Sequence, residues 1–379
     1  MLFYISVYGL IFCVIATIFL IFFPVRMTRG QLIGFWTIYI ILLAVFGFHI
    51  DPGYELDLYR IYKEIDAFRA GQSSITDSSM IIMNIVYWII AKTNDNGWLV
   101  VITVLIWGAC VGKVTSEYLR SHRYDTRAVV LYYLAANGGC FVFYLLTNIR
   151  CSIVFAVWLY AYFIWYKRKR WVYYVLTVLM IFIHSVGILV MGLTLLYHFL
   201  KSKNRIRGYV ITFVAILFIG YLLNNTEIVG NILSSMGTSY ASYLSEKWQA
   251  YSIRGIEFQQ GREMMFRILS SLLYFVLLIE LHLKGNREYE IFGFFIMVMY
   301  VGINMSIIFE RFPYLLGLSA LPILNESSMT KRGIKKKIFY IGTFAILFGQ
   351  IIWSIYEIML WVNFKDNIYF GNIVKIFNV

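Results

Sequence analysis

Residues 2–25 read LFYISVYGLIFCVIATIFLIFFPV, an apolar run without one charged residue. A helix of about 20 apolar residues is long enough to cross the hydrocarbon core of a bilayer. Similar runs recur along the chain, which is 60% hydrophobic and only 14% charged. Soluble domains contain about 25% charged residues. The sequence therefore predicts an all-α, polytopic helical membrane protein, with this first run retained as a span because no signal-cleavage pattern follows it.

The spacing of the apolar runs predicts about 11–13 transmembrane helices in a single transmembrane domain over residues 1–379. The predicted spans are 2–25, 31–50, 97–118, 127–147, 151–166, 171–183, 186–200, 208–224, 267–283, 291–309, 312–324 and 338–362. The segment 79–91 is shorter and is predicted to be re-entrant or interfacial. Segments 171–183 and 186–200 are either two spans or one helix broken at His184, and two spans put the flanking basic loops on one side.

The net charge of +13 is concentrated in short connections between the spans, such as 113–127, 167–170 and 325–337. This distribution is typical of cytoplasmic loops, so the sequence gives no reason to expect a nucleic-acid partner. The four cysteines stand apart in apolar runs and form neither a zinc pattern nor a disulfide framework. The chain is therefore expected to be a multi-pass membrane protein with these connections on the cytoplasmic side.

If the basic connections are cytoplasmic, two long loops, 51–78 and 225–266, lie on the outward side. The first contains an apolar stripe at helical spacing and is predicted to include an amphipathic helix at the membrane interface. The stripe consists of Tyr54, Leu58, Ile61, Ile65 and Phe68. The second is rich in Gly, Ser, Tyr and Gln, which suits either sugar binding or an ordinary interfacial loop.

Three side chains that could bind a ligand or take part in catalysis stand at the ends of apolar runs: Arg150, His184 and Arg311. The charge argument places all three ends on the same outward face. An arginine there either snorkels to the headgroups or offers a bidentate fork to phosphate oxygens. His184 is either a satisfied core residue or part of a helix break where imidazole could bind or deprotonate a sugar hydroxyl.

Carboxylates cluster in the first outward loop, where Asp51, Glu55 and Asp57 stand among Tyr54 and Tyr59. They could supply a general base or sugar contacts, or they could form the polar face of the interfacial helix. The sequence has no D-x-D pair, no H-E-x-x-H motif and no glycine-rich phosphate loop. We therefore expect chemistry without a metal or cofactor, based on positioning and on arginine neutralising a departing phosphate.

The stretch NIRCSIVFA at 148–156, a basic turn, an aromatic-rich span and then His184-Ser185 resemble the EpsG/Wzy-like bacterial polysaccharide polymerases. The pieces DLYRIY at 57–62 and RFPY at 311–314 are similar to that family's Asp-Tyr-x-x-Tyr and Arg-x-x-Tyr elements. The resemblance covers roughly residues 50–325. The chain departs from the pattern at Cys151, where glutamine is common, and at Gly187.

The resemblance implies a glycosyltransferase-C-like fold and a repeat-unit polymerase making O-antigen, capsular polysaccharide or exopolysaccharide at the outer face of the bacterial inner (plasma) membrane. Donor and acceptor would be undecaprenyl-diphosphate-linked glycans in membrane lipid, with a chain-length regulator as a further partner. Arg150 and Arg311 would bind diphosphate, and His184 or an acid such as Asp57 would accept the proton. The sugar-binding candidates are Asp51, Tyr54, Tyr59, Asn148 and Tyr314.

Two other functions remain open at this point. An O-antigen ligase would use the same chemistry and the same outward groups. A lipid-linked oligosaccharide flippase would need cations deep in a central cavity and usually two related halves, whereas the cations here stand at span ends and no internal repeat is visible.

Overall fold

The computed structural model of the protein describes residues 2–52, 57–76, 80–137, 148–166, 168–200, 225–235, 263–285, 289–301 and 306–364, with positions 214, 215, 217, 218, 221 and 245. In chain order the described elements are α1 (Leu2–Phe22), α2 (Arg29–Phe48), β1 (Ile50–Pro52), α3 (Asp57–Arg69), α4 (Ile81–Ala91), α5 (Trp98–Ser121), α6 (Thr126–Asn137), α7 (Ile149–Tyr160) continued by a π-helical turn (Ala161–Trp165), α8 (Arg170–Ile181), α9 (Val186–Leu200), α10 (Thr226–Ser235), α11 (Glu263–Leu283), α12 (Glu290–Val301), α13 (Ser306–Leu318), α14 (Ala320–Thr330), α15 (Gly333–Trp361) and β2 (Val362–Phe364).

The predicted all-α membrane class is confirmed. Within the described residues, α1, α2 and α5 are long and apolar enough to cross a membrane. Shorter apolar helices include α4, α8, α9 and α12. On α1 the exposed side is covered by large apolar side chains such as Phe12 and Ile15, which suits a surface in contact with lipid.

The chain forms two compact units, one of Met1–Met191 with Ala320–Val379 and one of Gly192–Ser319. They subdivide the single transmembrane domain predicted for residues 1–379, which stays a prediction. In the second unit, α12 and α13 pack through the rings of Phe295 and Phe312, whose centroids are 5.7 Å apart. The second predicted loop, 225–266, begins with α10, and most of its later residues lie outside the described part of the chain.

The centre of the first unit is the close packing of α2 against α5. A Cβ built on Gly108 would lie only 2.5 Å from Cγ2 of Ile40, so glycine allows the two backbones to approach. The indole Nε1 of Trp36 donates a hydrogen bond of 2.9 Å to the Gly108 carbonyl. Trp36, Ile40 and Trp107 are all buried at this contact. The contact therefore holds α2 against α5 near the middle of α2.

The amphipathic helix predicted in the first loop is α3. Its stripe residues Leu58, Ile61 and Ile65 are fully buried, so the stripe packs against protein. The C-terminal end of α3 is fixed by Arg69, whose Nη2 donates to Oδ1 of Asn96 at 2.7 Å, just before α5. The short antiparallel ladder of β1 with β2, in register from Ile50 opposite Phe364, joins the end of α2 to the end of α15.

Two sequence predictions about the late part of the chain are wrong in detail. The predicted span 312–324 and connection 325–337 are replaced by α13, which ends at Leu318, and by α14, which continues to Thr330. The polar residues of this stretch suggested a loop, but Asn325 is fully buried. Its side-chain amide donates to the Arg123 carbonyl at 2.9 Å and its Oδ1 accepts from the Asp125 amide at 3.0 Å.

We expect Gly108→Ala to lower the free energy of unfolding by about 1–3 kcal/mol, because the added methyl overlaps Ile40 in a packed interface. Thermal unfolding in detergent micelles measures this. The double variant Gly108→Ala/Ile40→Ala should recover part of the loss. The matched control is Gly34→Ala in α2, where a Cβ meets nothing within 4 Å and stability should stay level or rise. Equal losses in both single variants would contradict the packing role.

Candidate active site

The first turn of α7 places Arg150 opposite the first turn of α3. The Nη2 atom of Arg150 lies 3.2 Å from both carboxylate oxygens of Asp57. The Arg150 side chain is only 4% exposed, and that of Asp57 is 28% exposed. The structure therefore brings together two of the residues that the sequence singled out, in a largely buried ion pair.

The position of Arg150 is costly for stability alone. A guanidinium does not deprotonate in proteins, so its burial requires an opposite charge nearby. A cation at the N-terminal end of a helix also opposes the helix dipole, and Arg150 is the second residue of α7. Helix stability thus gives no reason for an arginine here, whereas binding of an anion does.

A second arginine shares the same carboxylate. Arg60, one helical turn after Asp57 on α3, donates from Nη2 to Oδ1 of Asp57 at 2.5 Å. Its side chain is 55% exposed and also lies 3.8 Å from Glu64. The sequence prediction did not include Arg60 among the site residues. The spacing i,i+3 on a helix after Asp57 is the signal that indicates the pair.

The buried side of Arg150 faces α4. Its Nη1 lies 3.7 Å from Sδ of Met80. The Nε atom of Arg150 and the hydroxyl of Tyr87 are buried, and neither has a hydrogen-bond partner among the described residues. Buried polar groups normally have partners, so such atoms indicate a place for water or a ligand.

The break predicted at His184 is confirmed, since α8 ends at Ile181 and α9 begins at Val186. The imidazole is buried within this turn. The Val186 amide donates to Nδ1 of His184 at 3.1 Å. A nitrogen that accepts from an amide carries no proton, so the neutral ring has its proton on Nε2. The geometry therefore makes Nε2 a hydrogen-bond donor.

The turn of His184 is attached to both α7 and α4. The Cys151 Sγ lies 3.7 Å from Nδ1 of His184, so the residue beside Arg150 contacts the imidazole. The amide of Ile82 donates to the Phe182 carbonyl at 3.2 Å. His184 is thereby linked to the Arg150–Asp57 pair indirectly, through Cys151, the residue next to Arg150. We name these three residues the Asp57–Arg150–His184 cluster.

Close packing explains why residue 187 is a glycine. A Cβ there would lie 2.6 Å from the backbone oxygen of Met180, and backbone moves less readily than a flexible side chain. The absence of a side chain thus lets the first turn of α9 close against the end of α8. Cys151 and Gly187, the two departures from the pattern noted in the sequence, therefore both contact the turn that contains His184.

The remaining predicted site residues are distributed as follows. Asn148 precedes α7 and is half-buried, and its carbonyl accepts from the Ser152 amide at 3.1 Å. Tyr59 is half-buried on α3, with the Lys63 ammonium 5.5 Å from its ring centroid. Asp51 is exposed in β1. Tyr54 and Glu55 lie outside the described residues.

Arg311 and Tyr314 belong to α13 in the second unit, one turn apart. Tyr314 is buried, with 2% of its surface exposed, and Arg311 is half-buried. Their diphosphate-binding and sugar-binding roles, and the common face of Arg311 with Arg150 and His184, stay predictions. Within the described part of the chain, no three His, Cys, Asp or Glu side chains converge as metal ligands would.

We expect Asp57→Asn to lower the free energy of unfolding by about 3 kcal/mol, because Arg150 then remains buried and charged without its partner. Arg150→Met in the same protein removes that charge and should recover most of the loss. The measurement is a double-mutant cycle of thermal unfolding in detergent micelles. Losses that simply add would mean that the two residues stabilise the fold independently.

A family model described as the EpsG family matches residues 32–365, a range that includes Asp57, Arg150, His184 and Arg311. No curated protein and no solved structure matches the chain. The family match agrees with the apolar helices in indicating a membrane protein with a polysaccharide-polymerase-like function. Because the matched range covers most of the sequence, the chain belongs to the EpsG family.

Proposed function

We propose that the protein is a membrane glycosyltransferase that joins undecaprenyl-diphosphate-linked oligosaccharide repeat units into a bacterial surface polysaccharide. The observation that carries the proposal is the buried Arg150 held by Asp57, with Arg60 on the same carboxylate. Two guanidinium groups at one anion offer several convergent donors, the arrangement that suits a diphosphate. The family supports the general reaction type.

Asp57 occupies the place at Arg150 where the diphosphate of the donor would bind. A diphosphate carries more negative charge than one carboxylate, so it competes for the guanidinium when it enters. In this mechanism, the donor's phosphate oxygens bind Arg150 and Arg60, and Asp57 is displaced from both. Asp57 is 28% exposed, so part of the carboxylate is open to an entering ligand.

The displaced carboxylate then serves as the general base. The acceptor sugar hydroxyl attacks the anomeric carbon of the donor and forms the new glycosidic carbon–oxygen bond. The bond between that carbon and the diphosphate breaks, and undecaprenyl diphosphate leaves with the electron pair. Asp57 takes the hydroxyl proton. Arg150 and Arg60 neutralise the charge that develops on the leaving diphosphate, so the step uses electrostatic stabilisation in a partly buried site.

His184 has a different role in this mechanism. Its Nδ1 is engaged by the Val186 amide, so Nε2 carries the proton and donates a hydrogen bond to a phosphate or sugar oxygen. Of the two groups considered as base, Asp57 therefore fits the chemistry better. Asp51, Tyr54, Tyr59, Asn148 and Tyr314 are proposed to contact sugar, and Arg311 to assist with diphosphate. The site faces the periplasm or cell exterior, with a chain-length regulator as a further partner.

We expect Arg150→Lys to reduce polymer formation by about 100-fold, because an ammonium keeps the charge but loses the bidentate fork. Arg150→Ala should reduce it further. The assay uses purified protein in liposomes with an undecaprenyl-diphosphate repeat unit, and polymer length is read by gel electrophoresis. Arg332→Ala removes an exposed cation outside the cluster and should leave the rate unchanged. Polymerisation that survives both Arg150 variants would overturn the assignment.

The same assay separates the alternative functions. Transfer of glycan to a lipid A core acceptor, without growth of the lipid-linked chain, would identify a ligase. Movement of the repeat unit across the liposome membrane without polymer would identify a flippase.

Two substitutions at His184 distinguish the roles of its two ring nitrogens. In His184→Asn the amide oxygen reaches the position of Nδ1 and still accepts from Val186, so we expect near-normal stability with loss of activity. In His184→Gln the amide nitrogen reaches the position of Nε2, so activity should be retained in part while the turn loses its acceptor and stability falls. Thermal unfolding and polymerisation are measured for both. If His184→Asn is fully active, the Nε2 donor is unnecessary.

A further inference from the structure

A cavity of about 580 Å³ lies in the first unit where the α1–α2 connection, the start of α6 and the start of α15 meet. Its lining includes Pro24, Val25, Arg26, Asp125, Arg127 and Lys336. It is separate from the Asp57–Arg150–His184 cluster, because α2 begins beside this cavity and ends beside β1 and α3. A helix of that length places the two sites about 30 Å apart.

The cavity has more positive than negative charge. The Lys336 ammonium lies 2.6 Å from the Asp125 carboxylate, so this pair neutralises itself. Arg26 and Arg127 have no carboxylate partner among the described residues. The Arg127 guanidinium instead lies 5.3 Å from the ring centroid of Tyr340, a contact that keeps its charge available. Two arginines from two different segments therefore present uncompensated positive charge to one cavity.

The walls of the cavity are fixed by hydrogen bonds. The Met27 amide donates to Oγ1 of Thr126 at 3.1 Å, and the Tyr124 hydroxyl donates to the Met27 carbonyl at 3.3 Å. Burial alone would raise the pKa of Asp125, but hydrogen bonds from Lys336 and Tyr340 hold it below its ordinary value. Asp125 thus stays ionised and keeps Lys336 in place. These contacts connect the α1–α2 connection, the start of α6 and the start of α15 around the cavity.

Apolar surface adjoins the cavity. Phe22 and Phe23 at the end of α1 are 49% and 53% exposed, and Ile334 and Ile338 at the start of α15 are 74% and 64% exposed. The two helices meet at this level, since the rings of Phe22 and Phe344 are 5.2 Å apart. A free anion would make no use of this surface, whereas an acyl chain would cover it.

We propose that the cavity binds the headgroup phosphate of an anionic phospholipid, with Arg26 and Arg127 as its ligands. The acyl chains lie along the exposed apolar residues of α1 and α15. The positive-inside distribution predicts that this end of the unit faces the cytoplasmic leaflet, where basic cavities between helices bind anionic headgroups. The site is independent of the proposed glycosyl transfer, since it lies at the other end of α2.

The test measures binding and not activity. Phosphatidylglycerol is added to the purified full chain in neutral detergent micelles, and bound lipid is counted by native mass spectrometry, with phosphatidylcholine as the neutral comparator. We expect Arg26→Gln/Arg127→Gln to weaken phosphatidylglycerol binding about 30-fold. The matched control, Arg332→Gln/Lys335→Gln, removes two exposed cations outside the lining and should change binding less than about twofold.

Each other outcome overturns the proposal. Equal weakening in the control pair would mean that diffuse charge binds the lipid, and equal binding of phosphatidylcholine would mean that the headgroup is not recognised. Inorganic phosphate that competes fully at millimolar concentration would identify a free-anion site. If the double variant does not fold, Arg26→Gln alone is used, because that side chain is exposed; it should weaken binding about fivefold, and unchanged binding would refute the site.

Discussion

The burial of one guanidinium is the constraint on which the α3 end of the first unit depends. Arg150 cannot lose its charge and is 4% exposed, so a carboxylate must come to it. Asp57 meets this need only because α3 is held in place by its buried apolar stripe and by the hydrogen bond of Arg69 to Asn96. The amphipathic helix of the first loop is therefore an integral wall of the candidate site.

The sequence allowed the fold class and the central residues to be predicted, each for a physical reason. Uninterrupted apolar runs require helices in a membrane, and the break at His184 follows from polar residues between two short apolar segments. Arg150 and His184 were singled out because ionisable groups at the ends of apolar runs are costly, and Asp57 because carboxylates are grouped in the first loop. The structure pairs Arg150 with Asp57 and links His184 to them through Cys151, whereas their chemical roles stay predictions.

Other features could not be read from one sequence, because they depend on contacts between distant segments. Arg60 looked like an ordinary polar residue of an amphipathic helix until Asp57 was located between it and Arg150. The polar stretch of α14 suggested a loop, since nothing local shows that Asn325 bonds to residues about 200 positions earlier. The tautomer of His184 likewise depends on one backbone amide.

The charged groups at the two ends of α2 are paired in different ways. At the α3 end, Asp57 is shared by two arginines, so an entering diphosphate can replace one anion by another without leaving a cation unpaired. At the α6 end, Asp125 is already paired with Lys336, so a lipid phosphate adds to Arg26 and Arg127 without displacing any protein group. The first arrangement suits exchange during turnover and the second suits lasting retention. The two sites lie at opposite ends of α2, about 30 Å apart, so binding at one requires no contact with the other.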